Sequence, residues 1–281
     1  TFLLFCCLGM QVTAQENNKY FTWTEGTSIP DLDGFAGAYA GISNNVLLMA
    51  GGANFPGNKR PWTNGIKTWY DKIFALEHPT GQWKEVGKLP APMGYGISLT
   101  WRNGVICVGG SNAAKNFEDA FIIRYSNGKI EIESLPDLPV PVINGAGVVV
   151  NDIAYILGER FWSLDLAKPA STRSWQQLAS LPGPCRILSA AGTMDGDVFI
   201  FGGVQLVASP QDSSIQRKYL RDCWRYRPGK GWEAIASMPY TLAASPTPAY
   251  NAGQSHLLLF GGDDGSNATK VTELKDAHPG F

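Results

Sequence analysis

Glu159 and Arg160 follow Gly158 directly, at the end of the apolar run IAYILG. A carboxylate at such a turn can serve as a general acid–base group. It can equally be an exposed loop charge paired with Arg160, and such surface pairs are common and weak. Arg186 can grip a carboxylate through two parallel hydrogen bonds, or close an interblade salt bridge. Lys67 is either a cation for an anionic ligand or a solvated loop charge. Asn54, Arg60 and Trp62 belong to the same stretch as Lys67, and Trp62 can stack on a ligand ring or pin the loop. Tyr95 offers a hydroxyl that a ligand can use or that a core can satisfy. His78, His256 and His278 are scattered, with no cysteine or carboxylate at ligand spacing, so no metal site is expected.

The bulk composition narrows the setting for these groups. The 281 residues carry a formal net charge of -1, with 44% hydrophobic and 17% charged residues. Phosphate binding needs a concentrated basic face, and no basic stripe or run of like charge is present, so nucleic acid is not an expected partner. The 32 glycines, 9 tryptophans and many short apolar runs point to strands and turns. At the N-terminus, TFLLFCCLGM is a short apolar run followed by polar residues and Val12-Thr13-Ala14. It reads as a signal peptide over residues 1–14, cut after Ala14, and it is too short to span a bilayer. A lipoprotein signal at Cys6 fits less well, because Leu4 and Phe5 are bulkier than such sites accept. Removal of the signal leaves Cys107, Cys185 and Cys223, an odd number, so at least one thiol is free. Cys107 lies in an apolar run and is expected to act as a small buried hydrophobe.

The elements that must position the candidate residues repeat along the chain. Five apolar runs end in glycine: VLLMAGG, VICVGG, IAYILG, VFIFGG and LLLFGG. Their last glycines are Gly52, Gly110, Gly158, Gly203 and Gly262, separated by 58, 48, 45 and 59 residues. Kelch units repeat at about 50 residues. A second signal runs in phase: Trp23–Pro30, Trp83–Pro90, Trp175–Pro182 and Trp232–Pro239 are each seven apart, with Ile130 and Pro136 as a weaker copy. A stretch of small residues precedes every glycine-ended run. Four strands per unit follow: a small-residue strand nearest the axis, the run ending in glycine, a third strand such as KIFALE or FWSLDL, and an outer Trp-to-Pro strand packed between sheets. The expected fold is all-β, a six-bladed kelch-type β-propeller, which protects its edges by radial repetition.

Blades are expected at residues 33–90, 91–136, 137–182 and 183–239, with about five present in all. The fifth blade is expected to be half built and the sixth to have only the Trp23–Pro30 strand. The propeller is thus expected to occupy residues 20–281 as one domain, incomplete by five strands, or roughly 60 to 90 residues. The segment Tyr20 to Pro30 is expected to lack sheet partners and to pack non-natively, and helix is expected only over Thr272 to His278.

The stretch GGANFPGNKRPWTNGIKTWYDKIFALE (51–77), with GFAGAYAGISNN (34–45) and APMGYGISLTW (91–101), resembles the cyclically permuted relatives of bacterial sialic acid mutarotase, the N-acetylneuraminate epimerases. The resemblance covers essentially all of residues 20–281. It implies interconversion of the α and β anomers of N-acetylneuraminate or a related sugar acid, a free sialic acid as the small-molecule partner, no cofactor and a periplasmic or secreted location. It implies substrate-binding roles for Asn54, Arg60, Lys67, Tyr95, Glu159 and Arg186, with Lys67, Tyr95 and Arg186 at places the family matches. Glu159 holds the repeat position that the family's catalytic Glu holds in another blade. The family's own catalytic Glu and Arg follow the second strand of the closing blade, which the expected topology places beyond Phe281. The competing reading is a non-catalytic kelch propeller that binds glycan or protein. Ser-x-Asp-x-Gly-x-x-Trp boxes, the mark of sialidase propellers, are lacking.

Overall fold

A computed structural model describes residues 21–57, 59, 64–209 and 215–266. The expected signal-peptide residues 1–14, Arg60, Trp62 and the Thr272 to His278 segment lie outside the described residues. The first sheet holds β1 (Tyr39–Ser43), β2 (Val46–Ala50), β5 (Lys72–Leu76) and β6 (Lys84–Lys88). A side ladder of β3 (Ala53–Asn54) and β4 (Thr68–Trp69) sits in its long second loop. The second sheet is β7 (Ile97–Trp101), β8 (Gly104–Val108), β9 (Ala120–Ser126) and β10 (Lys129–Ser134). The third is β11 (Ala146–Val150), β12 (Ile153–Leu157), β13 (Phe161–Asp165) and β14 (Gln176–Gln177). The fourth is β15 (Ala190–Met194), β16 (Asp197–Ala208), β17 (Ile215–Arg227) and β18 (Gly231–Ile235). A fifth, two-stranded sheet pairs β19 (Tyr250–Ala252) with β20 (His256–Leu258). All pairings are antiparallel, and consecutive inner strands β1, β7, β11, β15 and β19 lie side by side. This is a β-propeller, with each sheet inside its expected blade limits. The helical content among the described residues is one 3-10 turn, Ala170–Thr172.

Local sequence explains the hairpins. Two-residue turns between twisted strands need left-handed backbone at both positions, which Asn, Asp and Gly supply at least cost. Asn44-Asn45, Asn127-Gly128, Asn151-Asp152 and Asp195-Gly196 all adopt positive φ at both residues. Each joins strands in direct register, as in Ser43 opposite Val46 and Met194 opposite Asp197.

The core lies between sheets, so strand periodicity divides each sheet's side chains between two neighbours. On β8, Val105 and Cys107 pack with Tyr39, Leu48 and Ile73 of the first sheet. Ile106 and Val108, alternating with them, pack with Ala154, Ile156 and Trp162 of the third. Both faces are covered, and every residue of β8 is buried. Cys107 is fully buried, as its run suggested, and burial pushes its thiol well above the ordinary range. Near the axis the sheets crowd. A Cβ on Gly96 would stand 2.5 Å from the Tyr39 hydroxyl, so the inner strands are built from small residues.

The outer tryptophans join neighbouring blades. Trp175 Nε1 donates to the Pro136 carbonyl at 2.7 Å, and Trp232 Nε1 to Ala179 at 2.8 Å. The Trp232 ring also packs on Phe161 of the third sheet, with centroids 4.8 Å apart. Trp83 Nε1 makes the equivalent bond to the Thr27 carbonyl at 3.0 Å. Thr27 precedes Pro30 by three residues, as Ala179 precedes Pro182. Trp23 packs edge-on against Phe260 of the fifth sheet, with centroids 5.9 Å apart. Residues 21–30 form no ladder. The Trp83 bond repeats the contact that Trp175 and Trp232 make.

A test of the crowding follows from two glycines that both have positive φ. At Gly110 (φ 106°) an added Cβ would lie 2.4 Å from the Tyr39 hydroxyl and 2.7 Å from the Gly94 carbonyl oxygen. At Gly128 (φ 77°) it would meet nothing within 4 Å. Gly128→Ala is expected to cost only the backbone penalty, about 1 kcal/mol. Gly110→Ala adds steric conflict and is expected to cost at least about 3 kcal/mol. Urea denaturation of the two variants measures the difference.

Candidate functional site

Five residues, one before each inner strand, encircle the axis in left-handed backbone: Gly37, Tyr95, Asn144, Leu188 and Ala244, with φ of 64°, 63°, 52°, 58° and 54°. This geometry turns each amide toward the preceding blade. Tyr95 N–H donates to the Gly37 carbonyl, Asn144 to Tyr95 and Leu188 to Asn144, each at 2.7 Å, and Ala244 donates to Leu188 at 2.9 Å. The backbone polar groups along this arc are consumed, so the cavity is shaped by side chains. It has a volume of about 480 Å³, within the size range of small-ligand sites. The five residues line it together with the starts of the inner strands and Pro246.

Among the expected site residues, the structure brings Lys67 and Tyr95 together. The Lys67 ammonium stands 4.0 Å from the Tyr95 ring centroid and 5.0 Å from that of Trp69. The strand pair β3–β4 folds this loop back, so Lys67 rests against Tyr95, which lines the cavity, without lining it itself. It forms no ion pair among the described residues. Asn144, Leu188 and Ala244 were not singled out in the sequence. For Asn144 and Leu188 the signal is register, two residues before β11 and β15, whereas Ala244 lies six residues before β19.

Three of the expected site residues, Asn54, Arg186 and Glu159, are placed outside the lining of the axial cavity. Asn54 is buried and spent: its amide donates to the Gly34 carbonyl at 2.7 Å and to Asp31 at 3.2 Å, and its oxygen accepts from the Tyr70 hydroxyl at 2.8 Å. It fastens the first blade's loop to the segment before it. Arg186 is 3% exposed and faces into its own blade. Its two terminal nitrogens donate to the Asp222 carboxylate at 2.8 and 2.6 Å, and it also reaches the Gly202 and Pro184 carbonyls at 3.0 and 3.1 Å. The salt bridge is within the fourth sheet, neither a ligand grip nor the interblade contact that was the alternative.

Glu159 takes the place of the second glycine of the other repeats. There, Gly52, Gly110 and Gly203 donate to Met93, Val142 and Leu242 of the next blade at 2.9, 2.7 and 2.7 Å. In the third sheet Gly158, the counterpart of the first glycine, donates to Arg160 at 3.0 Å, closing a tight turn that leads straight to Phe161. Glu159 is therefore exposed beside a notch of about 210 Å³ between the third and fourth sheets, away from the axial cavity. Its expected partner Arg160 donates to Gln177 at 3.2 Å instead.

The Arg186–Asp222 pair can be tested directly. Burial favours the neutral Asp222 acid, but hydrogen bonds from Arg186 and Trp224 outweigh it and hold the carboxyl below its usual range. Its stabilising contribution is therefore complete above the ordinary carboxyl value near 3.8 and is lost as pH falls through the depressed one. Arg186→Met leaves the half-buried Asp222 carboxylate with only the Trp224 donor and is expected to cost about 1–3 kcal/mol at neutral pH. Asp222→Asn is expected to flatten the acid limb of the stability curve. Denaturant titrations between pH 2.5 and 7 measure both.

The family model for N-acetylneuraminate epimerase matches residues 10–132 and 135–277. The N-acetylneuraminate epimerase of Salmonella enteritidis PT4 is 38% identical over 114 residues, covering 36% of this chain and 29% of that protein. That of Haemophilus influenzae (strain 86-028NP) is 34% identical over 140 residues, covering 43% and 37%. The matched part therefore spans about a third of the length of these curated relatives. A solved structure titled "Structure of YjhT" superimposes with a TM-score of 0.72 at 15% identity, covering 87% of this chain and 82% of that one, a likeness of fold. With the family model matching nearly the whole chain, this β-propeller belongs to the N-acetylneuraminate epimerase family.

Proposed function

We propose that the protein is a mutarotase of the sialic acid type, interconverting the α and β anomers of N-acetylneuraminate or a related sugar acid in its axial cavity. The observation that carries this reading is the Lys67 ammonium 4.0 Å from the ring centroid of Tyr95, a residue that lines a cavity of about 480 Å³. An ammonium packed on an aromatic face still has donors for a carboxylate. The family match and the curated relatives' names supply the class of ligand.

The chemistry is a balanced pair of proton transfers. A base takes the proton of the anomeric hydroxyl while an acid protonates the ring oxygen, and the bond between that oxygen and the anomeric carbon breaks. Rotation of the open keto form and reclosure on the other face give the second anomer. The described residues lining the axial cavity include no carboxylate or imidazole, so their part is binding and orientation. We further read the chain as exported to the periplasm or beyond. Six blades are part of the same reading, with residues 21–30 along the outer edge between the fifth sheet and the first. The Trp83–Thr27 bond supports that placement.

Lys67→Met removes the cation facing the carboxylate. A hydrogen bond to a charged group contributes about 1.5–3 kcal/mol, so KM for the sugar acid is expected to rise roughly tenfold to a hundredfold. Tyr95→Phe keeps the ring face and is expected to change KM by less than about threefold. Exchange between the two anomers, followed by NMR on freshly dissolved crystalline sugar, measures both. Unchanged exchange relative to buffer in the unsubstituted protein would leave glycan or protein binding as the function.

A further inference from the structure

We propose that Leu188 and Ala244 form a wall of the axial cavity that reads an N-acyl group, making the site selective for sugar acids that carry one opposite the anomeric carbon. This deepens the sugar-acid reading and rests on it.

The first observation is conformational. All five axial residues need left-handed backbone, which Gly37 and Asn144 adopt cheaply. Leu188 does not, because its Cβ crowds the following carbonyl at φ 58°. Nor does the core repay it, since Leu188 is only half-buried and borders the cavity. Bulky side chains kept in strained backbone cluster at binding sites, where the strain is tolerated for what the side chain does.

The second observation is how polarity is distributed. The backbone chain of hydrogen bonds fixes the order Gly37, Tyr95, Asn144, Leu188, Ala244 around the axis. Tyr95, with Lys67 above its ring, lies on one side, and Leu188, Ala244 and Pro246 lie beyond Asn144 on the other. That far wall has no hydrogen-bonding side chain at those three positions. The hydroxyls behind it are engaged elsewhere: Ser189 donates to the Gly202 carbonyl at 2.9 Å and Ser245 to Phe260 at 2.9 Å. The cavity therefore has Tyr95, with the Lys67 charge against its ring, on one side, and on the opposite side an apolar wall whose polar neighbour Thr247 accepts from the Ala191 N–H at 3.0 Å.

The third element is the chemistry of the ligand. In a pyranose of this class the carboxylate is borne by the anomeric carbon C2, and the acylamido group by C5, directly across the ring. With the carboxylate at Lys67, the acyl methyl reaches Leu188 and Ala244. The Asn144 amide, which has no side-chain partner among the described residues, lies between the two walls for a ring hydroxyl or the acylamide.

The experiment compares N-acetylneuraminate with its deaminated counterpart, which has a hydroxyl at C5. Saturation-transfer NMR reads binding to the full chain, and anomer exchange reads turnover. A pocket contact with one small apolar group discriminates by about tenfold or more. The unsubstituted protein is expected to prefer the N-acetyl sugar by at least about that factor, with strongest saturation at the acetyl methyl. Leu188→Asn is expected to bring the two sugars within about threefold and to remove the methyl saturation, while Leu188→Met keeps both. The Asn variant should melt no lower than the parent, because asparagine suits this backbone. A methyl that takes no saturation, or a Leu188→Asn variant that keeps the preference, overturns the proposal. Methyl saturation that Leu188→Asn abolishes, in a parent protein that does not accelerate anomer exchange, upholds the wall and removes the mutarotase reading.

Discussion

A single backbone amide per blade, turned by a left-handed residue, binds each sheet to the one before it at the axis. The bonds from Tyr95 to Gly37, Asn144 to Tyr95, Leu188 to Asn144 and Ala244 to Leu188 form a continuous arc. Each contributes only about 1 kcal/mol net, but an unmade one would leave buried donors and acceptors without water. The arc sets the spacing of the inner strands, and that spacing dictates what they are made of. Sheets held this close at the axis leave no room for side chains at positions such as Gly96, where the Tyr39 hydroxyl already occupies the space. Farther out the sheets diverge and aromatic residues fill the widening gap, as Phe161, Tyr226 and Trp232 do between the third and fourth sheets.

The same constraint shapes the site. Because the backbone is consumed in holding blades together, the axial cavity can discriminate ligands only through the side chains at the five ring positions and through loops that reach over them. The loop of the first blade is long enough to fold its own two-stranded ladder and bring Lys67 to Tyr95. The loop of the third blade is a tight turn and contributes nothing to the axis. Loop length, more than residue type, decides which blades equip the cavity.

Several polar groups with the chemistry of a binding site serve the scaffold instead. Arg186 has the fork that suits a carboxylate, and it uses that fork on Asp222 while its remaining bonds go to backbone carbonyls. A buried guanidinium must be paired in this way, since an uncompensated charge in a protein interior is costly. Asn54 shows the same economy with a neutral group, its donors and acceptor all directed at neighbouring segments. Residue type alone cannot tell such groups from ligand contacts, because both tasks call for the same donors.

The sequence by itself determined the β-propeller, the blade limits and the fate of Cys107, because these depend on local pattern. Alternation places side chains on two faces, Asn and Gly mark the hairpins, and small-residue runs mark the axis. It also pointed to Lys67 and Tyr95, through the long first-blade loop and the start of an inner strand. Only the tertiary structure decided which polar residues reach the cavity. Arg186 and Leu188 are two residues apart, yet one is locked inside its blade and the other faces the axis. Glu159 looked like the residue after a glycine pair but replaces the second glycine, and the shortened turn keeps it off the axis. Those outcomes turn on backbone handedness at one residue per blade and on contacts between residues tens of positions apart, which local pattern does not encode.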